Sequence, residues 1–467
     1  MERDLKHDHT QLIEELSAAY TERFPRSAAL DRRATRAMVD GGSHNVRLNR
    51  PFPVRIDSAR GAYIHDADGH DILDFWQGHF ANILGHNPAA VTSVLAGAFA
   101  SGTGLQHGLT DQLQIETAEL LCQCLHAEKV RFTTSGSLAT MYAIMLAKVF
   151  TGRDRVLKVG GAWHGAQPWG LKGVNFAAGP QPWRPESEGL SAHLTDEVVV
   201  TRFNDSGALT EDFRIHGERL ACLIVEPFAG AGNFMLGTPE YLRTARELAD
   251  RCGALLIFDE VISAFRFRAG DLGFLYGIRP DLVTVAKIVG GGMPVAAVAG
   301  RGDVLALCGS EGGNRVAFLG GTYSAHPASL LAAKTMVSYL VEHEAEVYPR
   351  LAELGADMRR VIAEAFAAEG VPARCTGEPN ELVTGCSMTS VHFPYDERTA
   401  LDSPHVVLDP AFCDTALNQK VFQLALLLED VYTLYGSCAA SVAHSDADIE
   451  RLGEACQAAA RRIKPYL

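Results

Sequence analysis

The chain has 467 residues, and its 42 lysines and arginines against 56 aspartates and glutamates give a formal net charge of −14. That sign argues against nucleic acid and against an anionic membrane surface as the main partner. Hydrophobic residues make up 47% of the sequence and charged residues 21%, a balance typical of a soluble globular protein long enough for more than one compact unit.

The sequence shows no targeting or membrane segment. The N-terminal run MERDLKHDHTQLIEELS is charged and lacks the apolar core of a secretory signal. No stretch reaches the roughly 18 consecutive apolar residues of a membrane span. A cytoplasmic location is therefore expected.

Residues 1–90 are predicted to form part of a small lobe. Within them, the segment GAYIHDADGHDILDF has two short β-type runs around Asp68 and Gly69, a pattern typical of a β-hairpin. The chain then continues into residues 76–82, WQGHFAN, which are rich in aromatic and neutral polar side chains.

Residues 91–335 alternate short apolar runs with helical stretches, which predicts an α/β domain built from crossover units. The runs ALLIF and LACLIV are apolar throughout, as in strands covered by helices on both faces. A helix is predicted over Pro239–Cys252, ending at Gly253. The predicted strands are Lys129–Thr133, Arg155–Val159, Glu197–Arg202, Leu220–Val225, Ala254–Phe258, Leu282–Val285 and Val295–Ala299.

Residues 336–467 mix helical stretches with strand-like runs such as SMTSVHF. We expect this part to join residues 1–90 in one smaller α+β domain. The predicted division is therefore 1–90, 91–335 and 336–467, with the large domain in the middle.

Two kinds of charged residue stand at the ends of apolar strands in the middle region. Asp259 and Glu260 follow one strand, and Lys287 ends another. Ligands of open α/β sheets lie beyond the carboxyl ends of the strands, where a carboxylate can hold a protonated pyridine nitrogen and a desolvated lysine can attack an aldehyde. The sequence alone leaves open a metal-binding acid, a helix N-cap or a surface lysine.

Two further segments carry residue types suited to a flat, phosphorylated ligand. Ser135, Gly136 and Ser137 follow a strand and precede a helical run, so their hydroxyl and N–H groups suit a phosphate, although an ordinary N-cap uses the same residues. Trp163 and His164 follow another strand. An aromatic ring there can stack on a flat ligand, although aromatics also pack in cores.

The order of these segments resembles the class III family of pyridoxal-5′-phosphate (PLP) aminotransferases. The matching segments are SGS (135–137), WHG (163–165), VEP (225–227), DEV (259–261), PDLVTVAK (280–287) followed by GGGMP, and GGTYSAHP (320–327). The resemblance implies PLP as cofactor and PLP fold type I, with a mostly parallel seven-stranded sheet in the large domain. It also implies a C₂ homodimer with shared active sites.

The resemblance assigns roles to the matching residues. Lys287 is the catalytic lysine that forms an imine with the cofactor and moves protons, and Asp259 pairs with the pyridine nitrogen. Thr322 is expected to reach the phosphate bound by a second subunit. The expected cofactor contacts besides these are Ser135, Gly136, Ser137, Trp163, His164, Glu226, Val261 and Gly321.

Within the family, the chain resembles most the glutamate-1-semialdehyde aminomutase branch. There an arginine after a Gly-Gly segment binds the substrate carboxylate, and the matching residue is Arg47, since guanidinium and carboxylate pair bidentately. A solvated N-terminal arginine is the alternative. Trp76, His79 and Phe80 are expected to face the rest of the substrate.

Several residues depart from that branch, and residues 76–82, WQGHFAN, are also unlike its sequence there. Leu138 replaces a glutamate after the SGS turn, Ala231 replaces an asparagine after VEP, and residues 433–436, TLYG, replace a Pro-Pro turn. The catalytic residues are kept, but those around the substrate differ. Arg266 and Arg268 are the candidates for binding the carboxylate of a keto-acid acceptor.

The sequence therefore predicts an aminotransferase that moves an amino group from a carboxylate-bearing amine to a keto or aldehyde acceptor. An intramolecular aminomutase or an amino-acid racemase is the alternative on the same scaffold, and a non-catalytic protein is a third. No metal site is predicted: Cys122, Cys124 and His126 form a cluster in sequence, but residues two apart in a helix do not share a face.

Overall fold

The structure, a computed structural model, describes residues 7–175 and 183–467. The helices of ten residues or more are α1 (Thr10–Arg23), α2 (Pro25–Ala34), α3 (Ala89–Ser101), α4 (Gln112–Cys124), α5 (Gly136–Thr151), α6 (Ser206–His216), α7 (Pro239–Cys252), α8 (Pro327–Glu342), α9 (Glu344–Glu369) and α10 (Asp446–Ile463). Shorter helical segments are Val39–Gly41, Asn45–Arg47, Gln77–Phe80, Ala192–Glu197, Gly217–Arg219, Gly273–Tyr276, Lys287–Gly290, Gly302–Leu305, Ala306–Cys308, Pro404–Val407, Leu417–Phe422, Gln423–Leu427 and Lys464–Tyr466.

The strands are β1 (Ile56–Arg60), β2 (Tyr63–Asp66), β3 (Asp71–Asp74), β4 (Lys129–Thr133), β5 (Arg155–Val159), β6 (Val198–Thr201), β7 (Leu220–Val225), β8 (Phe228–Ala229), β9 (Met235–Leu236), β10 (Leu255–Asp259), β11 (Leu282–Val285), β12 (Ala296–Gly300), β13 (Arg374–Cys375), β14 (Met388–His392), β15 (Val431–Tyr432) and β16 (Ser437–Ala439). Every strand predicted in the middle region is present, with its ends within one residue of the prediction.

A seven-stranded sheet in the order β4-β12-β11-β10-β7-β5-β6 forms the centre of the molecule. Neighbouring strands are parallel except at β12, which runs antiparallel to both β11 and β4. The prediction of a mostly parallel seven-stranded α/β sheet is therefore confirmed.

The central strands are buried on both faces. Leu255 and Ile257 belong to one apolar cluster, together with residues of α5, while Leu256 and Phe258 belong to another, together with residues of α6 and α7. Side chains alternate between the faces of a strand, so a continuous apolar run supplies both clusters. Burying each such side chain stabilises the fold by about 1.5–3 kcal/mol.

Helix α7 begins and ends where its sequence signals lie. The Thr238 hydroxyl accepts a hydrogen bond from the Tyr241 N–H at 3.2 Å, and Pro239 occupies the first turn. At the other end, Gly253 has φ 66°, a left-handed conformation that favours glycine. The prediction for this helix is confirmed.

A second, smaller core contains residues from both ends of the chain. The predicted hairpin forms from β2 and β3, pairing Ile64 with Ile72, and β15 adds to β3 in parallel. Apolar residues of α1, α9 and α10 pack with this sheet. The division at 90 and 335 stays a prediction; each boundary falls inside a helix, α3 and α8 respectively, and α8 packs against α3, α4 and the turn at Lys287–Gly290.

Two sequence predictions concern a membrane span and the cluster of Cys122, Cys124 and His126. Within the described ranges, no helix combines the length and apolar character needed to cross a membrane. Cys124 is the last residue of α4 and is buried, whereas the His126 ring stacks on Phe274 with centroids 4.9 Å apart.

Candidate active site

The predicted site residues meet at the carboxyl ends of two neighbouring strands. Strands β10 and β11 run parallel, with Asp259 opposite Thr284. Lys287 begins the helical turn after β11. The two strands therefore bring the carboxylate and the lysine to the same edge of the sheet, where ligands of α/β sheets bind.

The Asp259 carboxylate is buried and held at both oxygens. Oδ1 accepts hydrogen bonds from the Thr284 hydroxyl at 3.0 Å and from the Val261 N–H at 3.2 Å, and Oδ2 lies 2.7 Å from Nδ1 of His164. Burial lowers the pKa of His164 and favours the neutral ring. Its Nε2 is buried without a partner among the described residues.

Glu260, the second acid of the pair, has a different role. Its carboxylate accepts hydrogen bonds from the N–H groups of Leu272 at 2.7 Å and Gly273 at 3.2 Å, and from the Ser263 hydroxyl at 3.1 Å. Burial and the charge of Asp271 raise the pKa of Glu260. Glu260 therefore organises the loop at 263–273. The sequence alone could not distinguish this structural role from a ligand-binding role.

Lys287 combines an unusual backbone conformation with an unpaired side chain. Its φ is 51°, in the left-handed region that non-glycine residues seldom adopt. Its ammonium makes no hydrogen bond or ion pair with any residue in the described ranges. Burial lowers the pKa of Lys287, against the opposing charges of Asp259 and Glu226. A neutral amine suited to attack on an aldehyde is therefore favoured.

The N-terminus of α5 forms a concave seat for an anion. Ser135 caps the helix by accepting a hydrogen bond from the Leu138 N–H at 3.3 Å. The N–H groups of Gly136 and Ser137 have no acceptor in the described chain, so they are available to an anion. A methyl group on Gly136 would lie 3.0 Å from Val261, and one on Gly165 would lie 2.4 Å from Ser137 Oγ.

The loop after β5 presents Trp163 at the site. The Trp163 side chain is 44% exposed, while its backbone N–H donates to Oε1 of buried Glu226 at 2.8 Å. Oε2 of Glu226 accepts a hydrogen bond from the Gly230 N–H at 2.6 Å. Burial and the charge of Asp259 raise the pKa of Glu226. Glu226 thus joins the Trp163 loop to the loop after β7.

A buried lysine that the sequence reasoning missed holds the same loop. Lys158 lies at the end of β5, is fully buried, and donates to the carbonyls of Ala162 at 3.1 Å, Gly170 at 3.2 Å and Lys172 at 2.8 Å. Burial lowers the pKa of Lys158 to about 8. The available signal was a lysine inside the otherwise apolar run VLKV.

Comparison with known protein families matches residues 45–368 to aminotransferase class III. The chain belongs to the class III aminotransferase family. Its family cofactor is PLP, which the sequence predicted.

Three similar proteins extend over nearly the whole of this class III chain. A glutamate-1-semialdehyde 2,1-aminomutase from Akkermansia muciniphila is 32% identical over 448 residues, covering 94% of this chain and 99% of the relative. The solved structure of a β-phenylalanine aminotransferase from Variovorax paradoxus has TM-score 0.82 and 30% identity, covering 96% of this chain and 97% of its own. A transaminase solved with PLP bound has TM-score 0.83 and 26% identity, covering 95% and 99%.

The residues predicted to bind the substrate differ from one another in exposure and in the side chains that they contact. Arg47 is exposed, and no carboxylate in the described ranges pairs with it. The His79 ring lies 5.3 Å from those of His44 and Trp76. Phe80 is buried edge-on against Phe234, with centroids 5.2 Å apart, so it supports this region from within the core.

The two arginines suggested for acceptor binding are engaged elsewhere. The buried Arg266 guanidinium donates to the backbone carbonyls of Phe80 and Ile262, and Arg268 lies over the Phe274 ring, 4.3 Å from its centroid. The expectation is wrong for Arg266, because its donors are already directed at the backbone. Arg47 is the predicted arginine left open to a carboxylate.

The predicted partner-facing loop is exposed in the single chain. Gly321 and Thr322 are exposed, and the Gln106 side chain donates to the Thr322 carbonyl at 2.9 Å. Four large apolar side chains on these two loops are mostly exposed: Leu105 (73%), Leu109 (75%), Leu319 (79%) and Tyr323 (62%).

One group of possible metal ligands lies in the small lobe, where none was predicted. His9 Nε2 and His7 Nδ1 lie 2.7 and 3.3 Å from Oδ2 of Asp414, and these atoms lie within 4.8 Å of one another. Two imidazole donors on one carboxylate account for these distances as hydrogen bonds.

Proposed function

We propose that this chain is a PLP-dependent aminotransferase whose donor is an amine with one carboxylate. The observation that carries the proposal is Arg47, which has no carboxylate partner among the described residues and whose charge acts on His79. The site beside it contains Asp259 and Lys287, the two residues expected to hold PLP. The similar β-phenylalanine aminotransferase, by its name, acts on an amino acid with one carboxylate and an aromatic remainder. The aromatic side chains Trp76 and Trp163 suit such a remainder.

The residues present fit PLP at the ring and at the phosphate. His164 and Thr284 hold the Asp259 carboxylate at the strand end, where it would receive the pyridine N–H. The free N–H groups of Gly136 and Ser137 would donate hydrogen bonds to the phosphate. A methyl group at Gly136 would narrow this anion site. Trp163 and Val261 would lie on the two ring faces.

The chemistry divides between the cofactor and this chain. When bound, PLP supplies an aldehyde that links to amines and a protonated ring that withdraws electrons. Asp259 keeps a proton on the ring nitrogen, because an ionised carboxylate stabilises that positive charge. Lys287, with its pKa lowered by burial, would accept a proton from the donor carbon and deliver it to the cofactor carbon that carried the aldehyde.

Arg47 would orient the donor by its carboxylate. A guanidinium forms two parallel hydrogen bonds with a carboxylate, which fixes the direction of the amine. Arg266 is directed at the backbone and Arg268 lies over the Phe274 ring, so we assign a carboxylate to Arg47 alone. A monocarboxylate with an apolar or aromatic remainder is therefore the proposed substrate class.

An intramolecular aminomutase is the second candidate. The observation that favours it is the 32% identity to a glutamate-1-semialdehyde 2,1-aminomutase over 94% of this chain. Against it stand Leu138, Ala231 and residues 433–436, which differ from the pattern of that branch. The two candidates differ in whether a separate keto acceptor is consumed.

A homodimer completes the proposal. The Leu105–Leu109 loop and the Leu319–Tyr323 loop expose apolar side chains around Thr322, and exposed apolar patches often mark protein interfaces. A second copy of the chain placed there would bring Thr322 towards its phosphate seat.

The test is a screen of amine donors with purified holoenzyme, followed by kinetics of Arg47→Ala. We expect KM for a monocarboxylate donor to rise about tenfold or more, the equivalent of about 1.4 kcal/mol or more, while a carboxylate-free amine reacts as before. Arg50→Ala, an exposed arginine of the same segment, is the matched control. Equal effects on both donor types would give Arg47 a structural role.

A further inference from the structure

Residues 77–80 form a left-handed helical turn between β3 and α3. Gln77, Gly78, His79 and Phe80 have φ values of 47°, 61°, 67° and 64°. In L-residues this conformation brings Cβ close to the following carbonyl, so residues other than glycine adopt it at a cost. Strained backbone of this kind persists only where the surroundings hold it, and it concentrates at functional sites.

Asp74 holds the beginning of the turn. Its carboxylate accepts hydrogen bonds from the N–H groups of Trp76 at 2.8 Å and Gln77 at 2.9 Å. The Gln77 amide donates back to the Asp74 carbonyl at 2.8 Å. His86 Nε2 lies 2.7 Å from the same carboxylate, which fixes its orientation.

Arg266 holds the end of the turn. Its guanidinium donates to the Phe80 carbonyl and, through Nε, to the Ile262 carbonyl at 2.8 Å. Arg266 is 3% exposed, and no carboxylate in the described ranges pairs with it. A buried charge without a counter-ion is unfavourable, so stability alone does not account for an arginine here. Its segment follows directly from the strand that carries Asp259.

The turn brings His79 near the reactive lysine. The turn packs against the segment that begins at Lys287. The His79 ring lies 5.3 Å from the His44 ring. Burial and the charges of Lys287 and Arg47 lower the pKa of His79 to about 3, so its imidazole is neutral and can hydrogen-bond without adding charge. The charges of both Arg47 and Lys287 therefore affect the pKa of His79.

We propose that Arg266 is a positioning residue, which holds the left-handed turn and thereby fixes His79 as the wall that covers Lys287 on the substrate side. The inference rests on the proposed function, in which Lys287 carries PLP. Arg266 acts through His79 and does not itself contact the substrate.

The first test measures how well the lysine-bound cofactor is covered. Hydroxylamine, a small neutral nucleophile, releases PLP from the lysine, and the loss of visible absorbance gives the rate. We expect Arg266→Lys, which keeps the charge but cannot reach both carbonyls, to react at least about tenfold faster than wild type. His79→Ala should give a similar increase, because it removes the wall itself.

The double variant separates positioning through His79 from a general loosening of the site. If Arg266 acts through His79, Arg266→Lys should add little to the rate in a His79→Ala background. Multiplied effects, or a wild-type rate in Arg266→Lys, would overturn the proposal. Hydroxylamine release needs only lysine-bound cofactor, so this result is independent of whether the enzyme is an aminotransferase, which the donor screen decides.

A pH titration distinguishes the geometric effect of Arg266 from its charge. Burial lowers the pKa of the Lys287 amine, Asp259 and Glu226 oppose this, and the charge of Arg266 adds to the lowering. The same charge should act in the same direction on the imine nitrogen that Lys287 would form with the cofactor. Arg266→Met should therefore shift the pH midpoint of the visible band upward, whereas Arg266→Lys should leave it near that of wild type. For a donor, both variants should raise KM more than they lower kcat. A purely structural role would change thermal stability without this split.

Gly78→Ala tests the turn with Arg266 intact. The added methyl group would lie 2.4 Å from the Asn82 side-chain nitrogen, and an L side chain is strained at a φ of 61°, so the variant should weaken the turn. We expect faster hydroxylamine release from this variant even if the Arg266 variants fold poorly. Protection equal to that of wild type would show that the turn does not cover Lys287.

Discussion

At the residue scale, the adjacent acids Asp259 and Glu260 should respond differently to replacement by the corresponding amide. Asp259→Asn keeps the shape but cannot stabilise a protonated pyridine, so we expect kcat to fall by about 10²–10³, or about 2.7–4 kcal/mol. Glu260→Gln should instead lower the melting temperature, because two backbone N–H groups donate to its carboxylate. We expect the free energy of unfolding to fall by about 1–3 kcal/mol.

The two variants control for each other, since both are isosteric and one position apart. Turnover and thermal unfolding are measured for each. A Glu260→Gln enzyme that melts as wild type but has lost turnover would reverse the assignment of the two acids.

Residue roles could be predicted where a strand end identifies them, and not elsewhere. Asp259 and Lys287 stood out because charge follows an apolar run. Nothing local in the sequence distinguished Glu260 from Asp259, since the N–H groups that donate to Glu260 lie in a loop further along the chain. Arg266 looked like a ligand-binding arginine because its carbonyl partner, on Phe80, is distant in sequence.

At the element scale, the loop between β5 and β6 should depend on Lys158. Lys158→Met keeps an apolar stem but leaves the carbonyls of Ala162, Gly170 and Lys172 without their donor. We expect destabilisation of about 1–3 kcal/mol and weaker retention of PLP, because the loop carries Trp163 and His164. Both are measured by thermal unfolding and by PLP titration of the apoenzyme.

Lys172→Met is the matched control, since that lysine donates to the carbonyls of Thr195, at the far end of the loop, and Val198, the first residue of β6, and not to the part that carries Trp163. It should lower stability with little change in PLP affinity. Equal loss of PLP affinity in both variants would contradict a specific role for Lys158.

Elements were predictable where periodicity and capping agree. The apolar runs gave the strands of the large sheet, and Thr238 with Gly253 gave the ends of α7. The left-handed turn at 77–80 was not predictable, because only Gly78 in it favours that conformation, and it is imposed by hydrogen bonds that Arg266 donates and Asp74 accepts. Helix α8 extends beyond the predicted boundary, and its contacts with α3, α4 and the turn at Lys287–Gly290 join it to the large domain.

At the scale of the whole molecule, the exposed leucines should mediate self-association. Leu105→Asp combined with Leu109→Asp places two charges in the proposed interface, where unpaired charge is costly. We expect sedimentation to show a shift from dimer to monomer, with loss of PLP retention as Thr322 leaves the second site.

Ile215→Asp serves as the control, since that residue is also largely exposed, at 55%, but lies on α6. It should sediment as wild type. A double-leucine variant that remains dimeric and fully active would remove these loops from the interface and Thr322 from the shared site.

The measurement that tests the central claim most directly is a single turnover with donor alone. Holoenzyme is mixed with a monocarboxylate amino acid in the absence of any keto acceptor, and released keto acid is counted per subunit. Transamination predicts about one equivalent of keto acid, with the cofactor converted to its amine form and no further product. Continued formation of an isomer or enantiomer of the donor, without keto acid, would contradict the account and identify a mutase or racemase.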